Sequence, residues 1–455
     1  MKRHLICFCF ASAITFSVTT VNAATDLDNV AELGLQKAQE IALADNPSLA
    51  AAAERVEQAR QRIEQARSLY YPSVDAGGSA FHNTMSQNDA DLQSILAGGA
   101  DVDRSTERYG VSLSASWLLF DGFSRKFTNL IAEYGQQESE HSKRDAQRLL
   151  LQSVAGSYYG AQLAKYNKTI AEADFSFNSK QADEAQLSMD AGAGSLSAVL
   201  NFQVQMNNAP TDILVAERDY DLALYGLAVL LGRESGEMPD GLRLAKVDMV
   251  EESQFFPIVV EHLLAVATEN RPDLLRQELS FQRAESTVGV KQAAYYPTLA
   301  LRGGVDGTRS EDMGFEGDDF GSSVGVNLSY NLFRGQGDAA KIAEAQAAKR
   351  EAARTLEQQR NTVQSEVRQA ITRLEQARAQ LTLQRQSVKL VTQTRDLVEE
   401  GYKAGQESLA RFNEVQRDLV RTQSRLALSL ISLYTNRFVL KTATGESLLP
   451  YPGEE

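Results

Sequence analysis

The sequence predicts an α+β membrane protein in which a long α-helical coiled-coil barrel, forming a tunnel, is joined to a transmembrane β-barrel with four strands per chain. Three observations predict it. The chain is written as two internal repeats, each repeat contains segments of two-residue alternation, and each contains a proline-free helical run, at 124–190 and 337–403. A fixed offset between distant landmarks is the mark of a duplicated unit. Asn46-Pro47-Ser48-Leu49 returns as Arg271-Pro272-Asp273-Leu274, and Tyr70-Tyr71-Pro72 as Tyr295-Tyr296-Pro297, both 225 residues on. Leu119-Phe120-Asp121-Gly122 returns as Leu332-Phe333-Arg334-Gly335, and Ala191-Gly192 with Ser195-Leu196 as Ala404-Gly405 with Ser408-Leu409, both 213 residues on. The offset changes once, so a single 12-residue insertion separates the copies.

In chain order, residues 1–23 read as a secretory signal. A basic head (Lys2, Arg3, His4) precedes an apolar run and the small-residue pattern Val21-Asn22-Ala23, with cleavage after Ala23 or Ala24. Cys7 and Cys9 fall inside it, so the exported chain is thiol-free and no lipid anchor is expected. Repeat 1 covers 24–232. It opens with a helix over 47–69, rich in Ala, Gln, Glu and Arg, which are good helix formers, and stopped at Tyr71-Pro72 because the residue before Pro resists helical geometry. A β-hairpin follows over about 73–120. Val111, Leu113, Ala115, Trp117 and Leu119 alternate with mostly Ser, the pattern of a strand with one apolar face. Its tip, about 84–107, reads as a long polar loop. Then come the long helix 124–190, a Gly-containing turn and a return helix 195–231 in which Pro210 should introduce a kink.

An equatorial linker, 233–262, leads to repeat 2 over 263–445: a helix over 272–294, a β-hairpin over about 298–333, the long helix 337–403 and the return helix 408–442, before a tail at 446–455. In the second long helix Val363, Val367, Ala370, Leu374, Ala377 and Leu381 are spaced four, three, four, three, four, which is coiled-coil spacing. At 1.5 Å per residue each long helix is about 100 Å long, nearly the sum of a first helix and a return helix. A first helix stacked end to end on a return helix would therefore lie alongside one long helix.

Four strands cannot close a membrane barrel, and open edges leave backbone groups unpaired in lipid. A homotrimer with 12 strands closes it, and a polar lining of small residues suits a water-filled pore. Clustered aromatic residues (Tyr71, Trp117, Phe120, Tyr296, Tyr330 and Phe333) read as a girdle at the membrane interface. The formal charge of −14 argues against a general nucleic-acid binder, because phosphate contacts need Lys and Arg. No metalloprotease, nucleophile-elbow, phosphate-loop or CxxC motif is present, and His82, His141 and His262 are scattered. The chain is therefore expected not to be an enzyme, with no catalytic residue, metal or cofactor. An exported coiled-coil structural or adhesive surface protein would share the heptads, the export and the acidity, but not the two alternating hairpins.

Ala44-Asp45-Asn46-Pro47-Ser48-Leu49 with Tyr71-Pro72, the Leu-Phe-Asp-Gly of 119–122 and Tyr402-Lys403-Ala404-Gly405 with Ser408-Leu409 resemble the TolC-type outer-membrane efflux and secretion family, the outer membrane factors. The resemblance spans nearly the whole exported chain, twice in register. It implies a trimeric exit duct in the outer membrane, with its helical part in the periplasm. The duct serves a tripartite efflux pump or type I secretion system, alongside a periplasmic adaptor and an inner-membrane pump, ABC or proton-driven. It further implies that Gly192, Gly194, Ser195, Leu196, Gly405, Ser408 and Leu409 form the periplasmic tip where the adaptor docks. Tyr402 matches a constriction Tyr of the family. Where the family carries Arg followed by two acidic residues, this chain has Glu407, Arg411 and Glu414, so the first two charges are exchanged. A Glu407–Arg411 pair at i, i+4 is expected, and Glu414 would form a ring of three carboxylates in a trimer.

Overall fold

The computed structural model describes residues 27, 31–248, 255, 257–310 and 312–451. The expected signal at 1–23 and the last residues of the expected tail lie outside the described residues. A two-residue strand β1 (Glu32–Leu33) leads into α1 (Leu35–Asp45) and α2 (Pro47–Ser68). Asn46 separates these helices, and its side chain accepts from Ser48 N at 2.9 Å to cap α2, whose first residue is Pro47. Next come β2 (Ser73–Thr84), α3 (Gln87–Leu96), β3 (Ser105–Phe120), α4 (Ser124–Asp190) and α5 (Leu196–Leu230). The second half runs β4 (Arg243–Leu244), α6 (Val260–Asn270), α7 (Pro272–Gln292), β5 (Thr298–Ser310), β6 (Phe320–Ser329), α8 (Gly337–Lys403) and α9 (Leu409–Thr444).

Two sequence expectations need correction. The stretch 84–107 is not all loop, because it contains α3, which Ser86 caps by accepting from Asp89 N at 3.3 Å. Each α2-like helix is preceded by another helix, α1 or α6, so the 233–262 linker contains β4 and runs into α6. The helix α5 continues through Pro210 from Leu196 to Leu230.

The helices form a rod by stacking end to end. The C-terminus of α5 abuts the N-terminus of α2, where Asn46 Nδ2 donates to Leu230 O at 2.9 Å. The C-terminus of α9 abuts α7 in the same way, with Arg271 Nη1 donating to Ala443 O at 3.3 Å. Each composite helix thus lies beside a long one: α4 packs against α2 and α5, and α8 against α7 and α9. At mid-height β1 and β4 pair in parallel and are strapped to α4. Tyr158 Oη donates to Leu33 O and Ala245 O, both at 3.2 Å, and Tyr166 Oη to Val247 O at 3.1 Å. The largest apolar cluster forms here, around Leu33, Ile41, Val154, Tyr158, Leu227 and Leu244. A second holds the six heptad residues of α8, all buried, against Leu430, Leu433 and Leu440 of α9. Apolar burial is therefore concentrated at the equator and along helix seams, and none of the described helices is long and apolar enough to cross a membrane.

Candidate functional sites at the two ends of the rod

At one end the strands form a single antiparallel sheet in the order β2-β3-β5-β6, so β3–β5 pairing joins the two hairpins. Because side chains alternate across a strand, the register sorts the sheet into two chemical faces. One row on the first face is Val74, Ala115, Gly303 and Val324, flanked by Ala76, Leu113 and Val305. Trp117, Leu301 and Val326 continue that face toward the helices. One residue over, Asp75, Ser114, Gly304 and Ser323 form a row on the opposite face, beside Ser116, Arg302 and Gly325. The apolar face is bare, with Val324 82% exposed. β2 and β6 are exposed along their entire length, and among the described residues neither has a partner on its outer edge. Within one chain the sheet thus leaves an apolar face uncovered and two edges of backbone hydrogen-bonding groups unpaired among the described residues.

The sheet turns into the rod at the repeated Leu-Phe-X-Gly corners. Gly122 and Phe123 both adopt positive φ (65° and 71°), as do their counterparts Gly335 and Gln336 (59° and 64°). Two successive left-handed residues redirect the strand into α4 and α8. In repeat 1 the first must be Gly, because a Cβ at Gly122 would meet Ala293 O at 2.6 Å, whereas the space at Gly335 is open. At this corner Arg125 pairs with Asp121 at 3.2 Å, donates to Leu119 O at 2.9 Å and lies 4.9 Å from the Tyr70 ring centroid. Repeat 2 exchanges these charges, with Arg334 3.9 Å from Asp338. Of the expected girdle, Trp117 Nε1 donates to Tyr70 O at 2.9 Å. Phe120 and Tyr296 each pack edge-to-face on Phe123, at 5.5 and 6.0 Å. Tyr71, Tyr330 and Phe333 are exposed. The sequence reading missed aromatics at the far end of the sheet: Tyr109 in β3, and Phe320 in β6, which covers Gly307 and lies 5.8 Å from Phe315. Their position beside the loop ends of alternating strands was the available signal.

The opposite end is made of the two helix turns. Gly192 and Gly405 have φ of 75° and 73°, the left-handed residue that ends a helix when its N–H and the next return to the last turn. Gly192 N bonds Met189 O and Ala193 N bonds Ser188 O, both at 2.9 Å. Gly405 N bonds Tyr402 O at 3.0 Å and Gln406 N bonds Gly401 O at 2.8 Å. Ser195 and Ser408 cap the returning helices, accepting from Ala198 N and Arg411 N at 3.3 and 3.2 Å. The two turns solve one steric problem from opposite sides. In the first, a Cβ at Gly194 would lie 2.6 Å from Met189 N; in the second, that position is Glu407, and Gly401 opposite it makes room. Gly194→Ala is therefore expected to weaken the first turn by more than the ordinary Gly-to-Ala preference can repay. A loss of about 1–2 kcal/mol, measured as earlier proteolytic nicking at 191–195, is the expected result, with Ala193→Gly as the tolerated control.

Behind the turns, Phe202 and Phe412, each 1% exposed, pack 6.2 Å apart. Tyr402 is half-buried, stacks on Phe412 at 5.3 Å and meets Phe202 at 6.5 Å. Burial pushes its hydroxyl pKa up. Leu409 packs against the same cluster, whereas Leu196 is exposed. The expected Glu407–Arg411 pair is replaced. Arg411 Nη1 donates to Glu414 Oε2 at 2.7 Å, because α9 begins at Leu409 and Glu407 precedes the helix on which an i, i+4 spacing would apply. A polar latch that the sequence reading missed joins α4 to α9: Gln416 Nε2 donates to Asp174 Oδ1 at 2.8 Å, and Asn178 Nδ2 to Asp174 Oδ2 at 3.1 Å. Burial raises the Asp174 pKa, partly offset by those hydrogen bonds. Among the described residues no group of three or more His, Cys, Asp or Glu is placed to hold a metal ion.

The family model described as "Outer membrane efflux protein" matches residues 38–233 and 263–446. The chain is 24% identical to nodulation protein T of Rhizobium leguminosarum bv. viciae over 394 residues, covering 85% of this chain and 78% of the relative. It is 22% identical to the outer membrane protein TolC of Vibrio cholerae over 455 residues, covering 98% and 96%. The solved outer membrane channel CmeC of Campylobacter jejuni superposes with a TM-score of 0.77 at 17% identity, covering 91% of this chain and 86% of that one.

Proposed function

Since the chain belongs to the outer membrane efflux protein family, we propose that it is an outer-membrane exit duct. In this reading it is a passive trimeric channel-tunnel of a tripartite efflux pump or type I secretion system. The observation that carries the reading is the bare sheet, apolar on one face, polar on the other and open at both edges. Pairing β6 of one protomer with β2 of the next closes 12 strands in three copies. The Val74–Val324 rows then face lipid, and the Asp75–Ser323 rows line water. The helices extend the wall into the periplasm, where units 24–232 and 263–445 contribute equivalent staves joined by the 233–262 segment. The turns at Gly192 and Gly405 form the periplasmic tip. There a periplasmic adaptor docks and draws Tyr402, Arg411 and Glu414 apart, while an inner-membrane pump supplies the energy. A surface fibre is disfavoured because it would leave the apolar sheet face in water.

The test is direct. Detergent-purified protein should scatter light as a trimer and give discrete conductance steps in planar bilayers. A monomer with no conductance overturns the reading.

A further inference from the structure

We propose that a groove just below the sheet, on the lipid-facing side, binds an anionic glycerophospholipid of the leaflet nearest the rod. The proposal rests on the membrane reading above and adds a specific ligand site to it. The groove is a cavity of about 870 Å³ between the start of α4, the end of α7 and the start of α8.

 Its floor is mainly apolar, formed by Gly289 of α7, Ala293 just beyond that helix and Ala339, Ile342 and Ala343 of α8, with the Phe127 ring lying against Gly289, while Gln292 and Gln346 supply the polar part of the lining. Tyr295, Tyr296 and Phe123 form the upper rim, continuous with the apolar sheet face through the Phe120–Phe123 contact. Lys126 stands exposed at the lower rim. Because α7 packs against both α4 and α8, the groove lies within one protomer.

The charge around it has the sign an anionic headgroup needs. In a chain of net charge −14, the corner segments 118–128, 291–298 and 330–341 carry Arg125, Lys126, Lys291, Arg334 and Lys341. Their only acids are Asp121 and Asp338, both buried and both beside arginines. The aromatic upper rim and apolar floor, continuous with the lipid face, match an acyl chain, and the basic margin below them matches the phosphate.

The test is native mass spectrometry of the detergent-purified full-length protein titrated with phosphatidylglycerol or phosphatidylcholine, with planar-bilayer conductance measured in parallel. The wild type should retain phosphatidylglycerol in preference. Lys126→Ala should lower that retention about fivefold, Lys126→Arg should keep it, and Ala339→Trp, which fills the groove, should abolish it. Equal retention of the two lipids, or retention unchanged in Lys126→Ala and Ala339→Trp, overturns the lipid site. If conductance is normal in that case, the duct reading stands without it; if the wild type neither conducts nor forms a trimer, both fall.

Discussion

Val324→Arg is expected to prevent assembly into membranes, while Ser323→Arg, one residue away, is expected to assemble and alter conduction. The two positions are adjacent in β6 but lie in opposite rows of the sheet, Val324 beside Gly303 and Ser323 beside Gly304. In the proposed trimeric barrel a guanidinium near the middle of a lipid-facing strand costs about 2–4 kcal/mol, and three protomers incur that cost three times. The same group on the inner face stays hydrated, so stability should barely change. Three added positive charges in the lumen should lower conductance and shift selectivity toward anions. Urea titration of refolding into lipid vesicles measures the first effect, and single-channel recording the second. If both variants insert equally well, the assignment of the two faces is wrong.

The second large effect concerns the junction where α9 meets α7. Arg271 is 2% exposed and links three groups: Asp273, whose Oδ1 accepts from Nε at 2.9 Å, Glu366 of α8, and Ala443 O at the end of α9. Gln359 adds a hydrogen bond to Asp273 Oδ2 at 2.8 Å. Arg271→Ala removes the cation and leaves a buried carboxylate, which costs about 3–5 kcal/mol. Replacing the pair together, Arg271→Met with Asp273→Leu, should recover most of that loss, because no charge is then stranded. Urea midpoints at pH 7 measure both.

The pH dependence has a definite sign. Burial pushes the Asp273 carboxyl up, but the hydrogen bonds and charge of Arg271 outweigh it, so its pKa lies below the usual carboxylate range. A depressed folded-state pKa means that the pair's contribution is present above the unfolded value near 3.9 and is lost as pH falls through the folded value. The wild-type junction should therefore weaken only below about pH 4. In Arg271→Ala the trend reverses, since acid then neutralises a stranded charge. The equivalent junction of repeat 1 uses neutral Asn46, and Asn46→Ala should cost less, about 1–2 kcal/mol.

Much of the fold was legible because it is written in local rules. The long helices stand out through the absence of Pro over 124–190 and 337–403 and the four-three spacing from Val363 to Leu381. The corners and tips stand out through Gly at positions that the backbone holds at positive φ. The strands were legible in two-residue alternation. The small elements were not. α1 and α6 are short, and β1 and β4 are two residues each, held by Tyr158 and Tyr166 of a helix more than a hundred residues away from β1. α3 is short and buries only Ala90, although Leu92, Ile95 and Leu96 stand at helical spacing behind the Ser86 cap and were the available signal.

At the tip, the residue types at the turns were readable but their partners were not. Glu407 and Arg411 have the spacing of a helical pair, yet Ser408 caps the helix between them and gives Arg411 to Glu414. Tyr402 was singled out through the family resemblance; its stacking on Phe412 depends on how α8 meets α9.

By itself, then, the sequence determined the order of the long elements, the duplicated plan, the two chemistries of each strand and the places where the chain must turn. These follow from backbone sterics and side-chain periodicity, which act over a few residues. Only the tertiary structure decided that α5 stacks on α2 through Asn46 and Leu230, that β3 pairs with β5 to make one sheet from two hairpins, and that Asp174 is latched to α9. Those choices are made between surfaces far apart in the chain. There the outcome rests on which shapes and hydrogen-bond donors meet, and no local periodicity records it.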